Sequence, residues 1–167
     1  MIDIFIAIPI LLITSVIQMA VVSRIPIMHG YADLLLLVIA GWGLHEKAKN
    51  IYFCAILAGL FVSFISAQPF PLSLITYLII AWMTRLMHGN IWQSPILAMM
   101  LITIFGTLIQ HITMILYLQL SEIPIPFQVS LQQVTLPSII FNIILILPIY
   151  FVVRDIQKYV YKDEVYE

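Results

Sequence analysis

Apolar residues fall along this chain in six blocks, at 4–22, 27–44, 51–67, 72–87, 95–120 and 136–153, separated by short polar or proline-bearing breaks. A helix that crosses a bilayer needs about 20 mainly apolar residues, with a range of about 17–25, and each block meets or nearly meets that length. The pattern predicts an all-α bundle of six transmembrane helices with no soluble domain. The third and fourth blocks are short and meet at "SAQPFPLS", where Pro69 and Pro71 prevent one continuous helix. A shallow re-entrant hairpin is the alternative there. At about 1.5 Å per residue the fifth block reaches about 39 Å, more than a hydrocarbon core of about 30 Å, so it has to tilt or protrude. The segment 121–135, "SEIPIPFQVSLQQVT", mixes apolar residues with Pro124, Pro126 and glutamines, and reads as a connection lying along the outer interface. Residues 154–167 read as a cytoplasmic tail that continues the last helix. Its Tyr159, Tyr161 and Tyr166 suit the headgroup region, and Lys158 and Lys162 share one face.

Charge sets the expected orientation. With six spans, Lys47, Lys49, Arg85, Arg154, Lys158 and Lys162 share a side with both termini, and only Arg24 lies opposite. The positive-inside rule makes that side cytoplasmic. With five spans the C-terminal basic cluster would join Arg24 and the asymmetry would shrink. The composition agrees with a membrane protein: 63% of the 167 residues are hydrophobic and 9% charged, and the mean hydropathy is +1.11. Seven basic against eight acidic residues leave no basic stripe for a nucleic-acid backbone, so nucleic acid is not an expected partner. The single cysteine, Cys54, allows no internal disulfide. The first block has Asp3 where a signal peptide would have basic residues, and no A-x-A site follows it, so it reads as an uncleaved anchor.

Catalytic parts are sparse. His29, His45, His88 and His111 lie in four separate segments without an H-E-x-x-H or H-x-x-x-H pair, no G-x-S-x-G occurs, and the carboxylates near the spans are unpaired. No enzyme activity, metal or cofactor is expected. Five polar residues remain as candidates for partner binding or structure. Asp33, placed a turn or two inside the second helix, meets the positive end of the helix dipole. It reads as a capping acid at headgroup level, or as a contact for a partner or for Arg24. Gln110 and His111 lie deep in the fifth span and Asn142 in the sixth, each able to bond a neighbouring helix, Asn142 through a backbone carbonyl. Gly41, Gly43, Gly106 and the pair Ala55-x-x-x-Gly59 offer small faces for close helix approach, and Pro148 should kink the last span.

Three stretches resemble the bacterial rod shape-determining protein MreD family. "GYADLLLLVIAGWGL" (30–44) resembles the family's Pro-Asp-Leu-Leu-Leu signature, with Ala32 where proline is frequent. "AGLFVSFISAQPFPLSLITYLIIAW" (58–82) is similar to its Gly-Leu helix, loop and following span, with the usual acid replaced near 66–68. "LPSIIFNIILILPIYFVVR" (136–154) is similar to its final helix with Pro-Ser and Asn. Asp33 and Asn142 are the positions that match the family pattern. The resemblance implies a six-helix fold like the S subunits of energy-coupling-factor transporters. It also implies a non-enzymatic adaptor in the cytoplasmic membrane that binds MreC, a single-span protein. It would also help couple MreB filaments to the synthase RodA and its transpeptidase partner. The alternative on the same six spans is an S-like subunit that captures a small solute with Asp33, Gln110, His111 and Asn142. Against it, S subunits often carry Ala-x-x-x-Ala in the first helix, and 4–22 has none.

Overall fold

The computed structural model describes residues 2–26, 28–48, 50–66, 68–87, 94–123 and 125–161, the side chains of 2–4 excepted. Lys49, His88, Pro124, Lys162 and Tyr166, and the side chain of Asp3, lie outside the described residues. The fold is all-α, with six principal helices: α1 (Ile2–Ala20), α2 (Leu34–Gly43), α3 (Ile51–Ile65), α4 (Phe70–Met87), α5 (Pro95–Leu120) and α6 (Phe127–Val160). A short 3-10 turn, Val22–Arg24, follows α1.

Four of these segments, Phe5–Arg24, α4, α5 and α6, are long and apolar enough to cross a membrane. Large apolar side chains such as Phe5, Phe64 and Phe70 stand exposed on the outside of the bundle. A surface of that kind is untenable in water and natural against lipid. The chain is an integral, multi-pass membrane protein.

At the centre sits α2. Its sequence, LLLLVIAGWG, has no polar face, and every one of its ten residues is buried. A helix apolar on all sides has to be enclosed, and α1, α3, α4, α5 and α6 all pack on it. Ten residues span only about 15 Å, half a bilayer core. The helix is therefore shorter than the 27–44 block that contains it, and residues 28–33 are not helical. Such a buried half-helix leaves unpaired N–H groups at one end and carbonyls at the other, both costly away from water. At the carbonyl end, the Gln157 side-chain amide of α6 donates to the Trp42 carbonyl at 3.2 Å and approaches that of Gly41 at 3.5 Å. Close by, the Tyr161 ring stacks on His45 with centroids 4.6 Å apart.

Two further boundaries differ from the hydropathy blocks. The helix α4 begins at Phe70, because Pro71 falls in its first turn, where a missing N–H costs nothing. The last helix begins at Phe127, so most of 121–135 is helix rather than an irregular connection. Residues Leu131–Thr135 form a π-helical turn within it. The Ala55/Gly59 face is a true close approach. A Cβ on Gly59 would lie 2.9 Å from the Leu74 Cα of α4, a backbone atom that cannot step aside. Replacing Gly59 with leucine should therefore cost about 1–3 kcal/mol through overpacking. A melting curve in detergent reads this as a lower Tm, and an unchanged Tm would refute the close packing of α3 on α4.

Candidate functional site

The N–H end of α2 is the most polar place in the bundle. Residue Met28, with φ of 57°, turns the chain, and the residues after it run extended beside α6. Three alternate N–H groups then bond α6 in register. His29 N donates to the Gln133 carbonyl at 3.2 Å. Tyr31 N donates to Ser138 Oγ at 3.2 Å, and Asp33 N to Asn142 Oδ1 at 2.8 Å. The match is geometric: two residues of extended chain rise about 6.6 Å, and four or five residues of helix about 6–7.5 Å. Pro137 explains the first rung. It has no N–H to give the carbonyl four residues earlier, that of Gln133, which is left open for His29. The chains approach so closely that a Cβ on Gly30 would lie 2.6 Å from the Val134 carbonyl oxygen.

Asp33 is the N-cap of α2, its carboxylate accepting from Leu36 N at 3.0 Å. It thus stands before the helix, not a turn or two inside it, because residues 28–33 are spent on the ladder to α6. The carboxylate also accepts from the Tyr77 hydroxyl of α4, 2.8 and 2.7 Å from its two oxygens, and from the Gln110 amide of α5 at 3.0 Å. Every partner is a donor, the hydrogen bonding of a carboxylate. Arg24 is exposed and makes no ion pair with Asp33, which corrects the pairing considered from sequence. Among the described residues no cation pairs with Asp33.

Asn142 accepts from Asp33 N and donates to Thr107 Oγ1 of α5 at 2.9 Å, so it joins helices through a side chain and an N–H rather than a backbone carbonyl. Residue Gln18 of α1, not singled out from sequence, satisfies two backbone groups at once: its amide donates to the Ala32 carbonyl at 2.7 Å and its oxygen accepts from Leu34 N at 2.9 Å. His111 Nδ1 lies 3.1 Å from Thr135 Oγ1 in the π-helical turn. Four helices, α1, α4, α5 and α6, therefore hold the start of α2.

Beside this network opens a cavity of about 570 Å³. Asp33, Gln110, His111 and Asn142 all line it, and Arg24 does not. Its other walls are largely apolar, including Val62, Met114, Ile115 and Leu118. Asp33 is the one carboxylate on the wall among the described residues, and they contain no group of three or more His, Cys, Asp or Glu able to hold a metal. The arrangement can bind and orient a ligand. Tyr77→Phe should cost about 1.5–3 kcal/mol by deleting a hydrogen bond to a charged group. A Tm equal to wild type would show that the hydroxyl contributes nothing to Asp33.

No family model, curated protein or solved structure matches this chain.

Proposed function

We propose that the chain is a non-enzymatic adaptor of the bacterial cell-elongation machinery, in the cytoplasmic membrane with both termini inside. It binds an MreC-like single-span protein and helps couple MreB filaments to RodA and its transpeptidase partner. One observation supports this reading above the rest. Two blocks of the resemblance, 30–44 and 136–154, are distant in sequence and bonded to each other in space, Tyr31 N to Ser138 and Asp33 N to Asn142. The residues that carry the likeness are the ones that build the centre of the fold, as expected if the likeness reflects a shared architecture, including that of transporter S subunits. The polar groups are spent largely on joining helices, which suits a rigid partner-binding body. The basic residues on the proposed inner side, Lys47, Arg85, Arg154 and Lys158 among those described, suit anionic lipid. Affinity purification after mild crosslinking in the native membrane tests the proposal. A single-span protein with a large extracytoplasmic domain, recovered with wall synthases, supports it.

The cavity favours a second reading, a subunit that captures a small solute, because all four residues expected to line such a pocket do line one cavity. Recovery of ATP-binding cassette subunits with a membrane coupling protein would select it over the adaptor.

A further inference from the structure

The cavity lining mixes polar and apolar residues, and its charge is unbalanced. Asp33 brings a negative charge that three neutral donors, Leu36 N, Tyr77 and Gln110, solvate but do not neutralise. A carboxylate on a cavity wall, with no cation paired to it among the described residues, is a ready place for a counter-charge. Beside it stand further acceptors. The Gln110 amide donates to Asp33, so its oxygen is left to accept, and His111, bonded through Nδ1 to Thr135, keeps its second ring nitrogen for another partner. Val62, Met114, Ile115 and Leu118 give the lining an aliphatic and thioether part.

We propose that this cavity binds a primary ammonium group carried on an apolar body, with Asp33 as its counter-ion and the Gln110 oxygen as a second acceptor. The ammonium supplies the charge that the wall lacks and the N–H donors that its acceptors need. The apolar body takes the place of lipid or water against the methionine and leucine side. This chemistry exists in two sources, the headgroup of phosphatidylethanolamine and free soluble amines. The inference rests on the solute-capture reading for its site and adds the ligand class. It is equally compatible with an adaptor whose assembly a ligand regulates.

The test uses the whole protein, purified in detergent and titrated with pentylammonium, 1-pentanol or pentanoate while its melting is followed. At about a hundredfold excess over Kd, pentylammonium should raise Tm by about 5–11 °C, with little shift from the alcohol or the acid. Met114→Trp, which fills the cavity from its apolar wall and touches none of the Asp33 hydrogen bonds, should abolish the shift. Native mass spectrometry from nanodiscs of phosphatidylcholine with and without phosphatidylethanolamine then separates the sources. Retained phosphatidylethanolamine that pentylammonium displaces identifies a lipid ligand; binding of the free amine without lipid retention identifies a solute. A shift from pentanol or pentanoate matching or exceeding that from the amine overturns the ammonium assignment and leaves solute capture standing. No binding of any probe, in detergent or in either nanodisc, overturns both.

Discussion

Asp33→Lys should leave little folded protein. The substitution removes the N-cap of α2, worth about 1 kcal/mol, and places a cation at the positive end of a helix dipole, at a further cost of about 0.3–1 kcal/mol. The larger cost lies with the partners. The Tyr77 hydroxyl and the Gln110 amide, both now donating to the carboxylate, would face an ammonium that can only donate. Leaving such groups unsatisfied costs about 1–3 kcal/mol each. Together these come to about 3–8 kcal/mol, which rivals the whole stability of an ordinary domain. The expected result is aggregated or degraded protein on size-exclusion chromatography after membrane extraction. Asp33→Asn separates shape from charge. An asparagine oxygen still caps Leu36 and accepts from one donor, so this variant should fold with a Tm lower by several degrees. Asp33→Lys at wild-type yield and Tm would contradict the central place given to the carboxylate, and would turn attention to a purely surface role.

The sequence made part of this site visible and concealed the rest for identifiable reasons. Asp33, Gln110, His111 and Asn142 stood out because a polar group in an apolar run has to be compensated by something. Gln18 carries the same signal within 4–22 and its role was there to be found. Thr107 gives no signal, since a small hydroxyl can bond its own helix, as Thr107 does to the Thr103 carbonyl, and Ser138 is marked only as part of the Pro-Ser in the resemblance. Tyr77 carries no such signal in the sequence, and only the fold brings its hydroxyl to Asp33. The start of α2 was misplaced although Asp33 before four leucines is a capping signal; hydropathy alone cannot tell an apolar extended segment from a helix. The helical start at Phe127 was hidden differently. Pro137 argues locally for a helix end, but its cost is met by His29, which takes the orphaned Gln133 carbonyl. No local pattern contains that contact.

That contact belongs to the ladder that only a glycine at position 30 allows. Gly30→Ala, the smallest possible change, should destabilise the protein by about 3 kcal/mol. The added Cβ would sit 2.6 Å from the Val134 carbonyl oxygen and 2.7 Å from both Ser138 N and Oγ. Two of these are backbone atoms of a helix, so the extended segment has to lift away from α6. Lifting strains three hydrogen bonds together, those of His29, Tyr31 and Asp33, at about 1 kcal/mol each. It also shifts Asp33 relative to Tyr77 and Gln110, so the damage passes from a loop to the centre of the bundle. Gly41→Ala is the matched control. Its Cβ would meet Val153 and Met99 side chains at 3.5 and 3.6 Å, ordinary contact distances, and alanine is favoured over glycine within a helix by up to about 1 kcal/mol. The control should therefore melt at or above the wild-type temperature while Gly30→Ala melts about 6–12 °C below it. Hydrogen exchange supplies the mechanism: the amides of His29, Tyr31 and Asp33 should lose protection in Gly30→Ala and keep it in Gly41→Ala. Equal melting and equal protection in the two variants would mean that the extended segment rests loosely beside α6, and that Asp33 is held in place by Tyr77 and Gln110 alone.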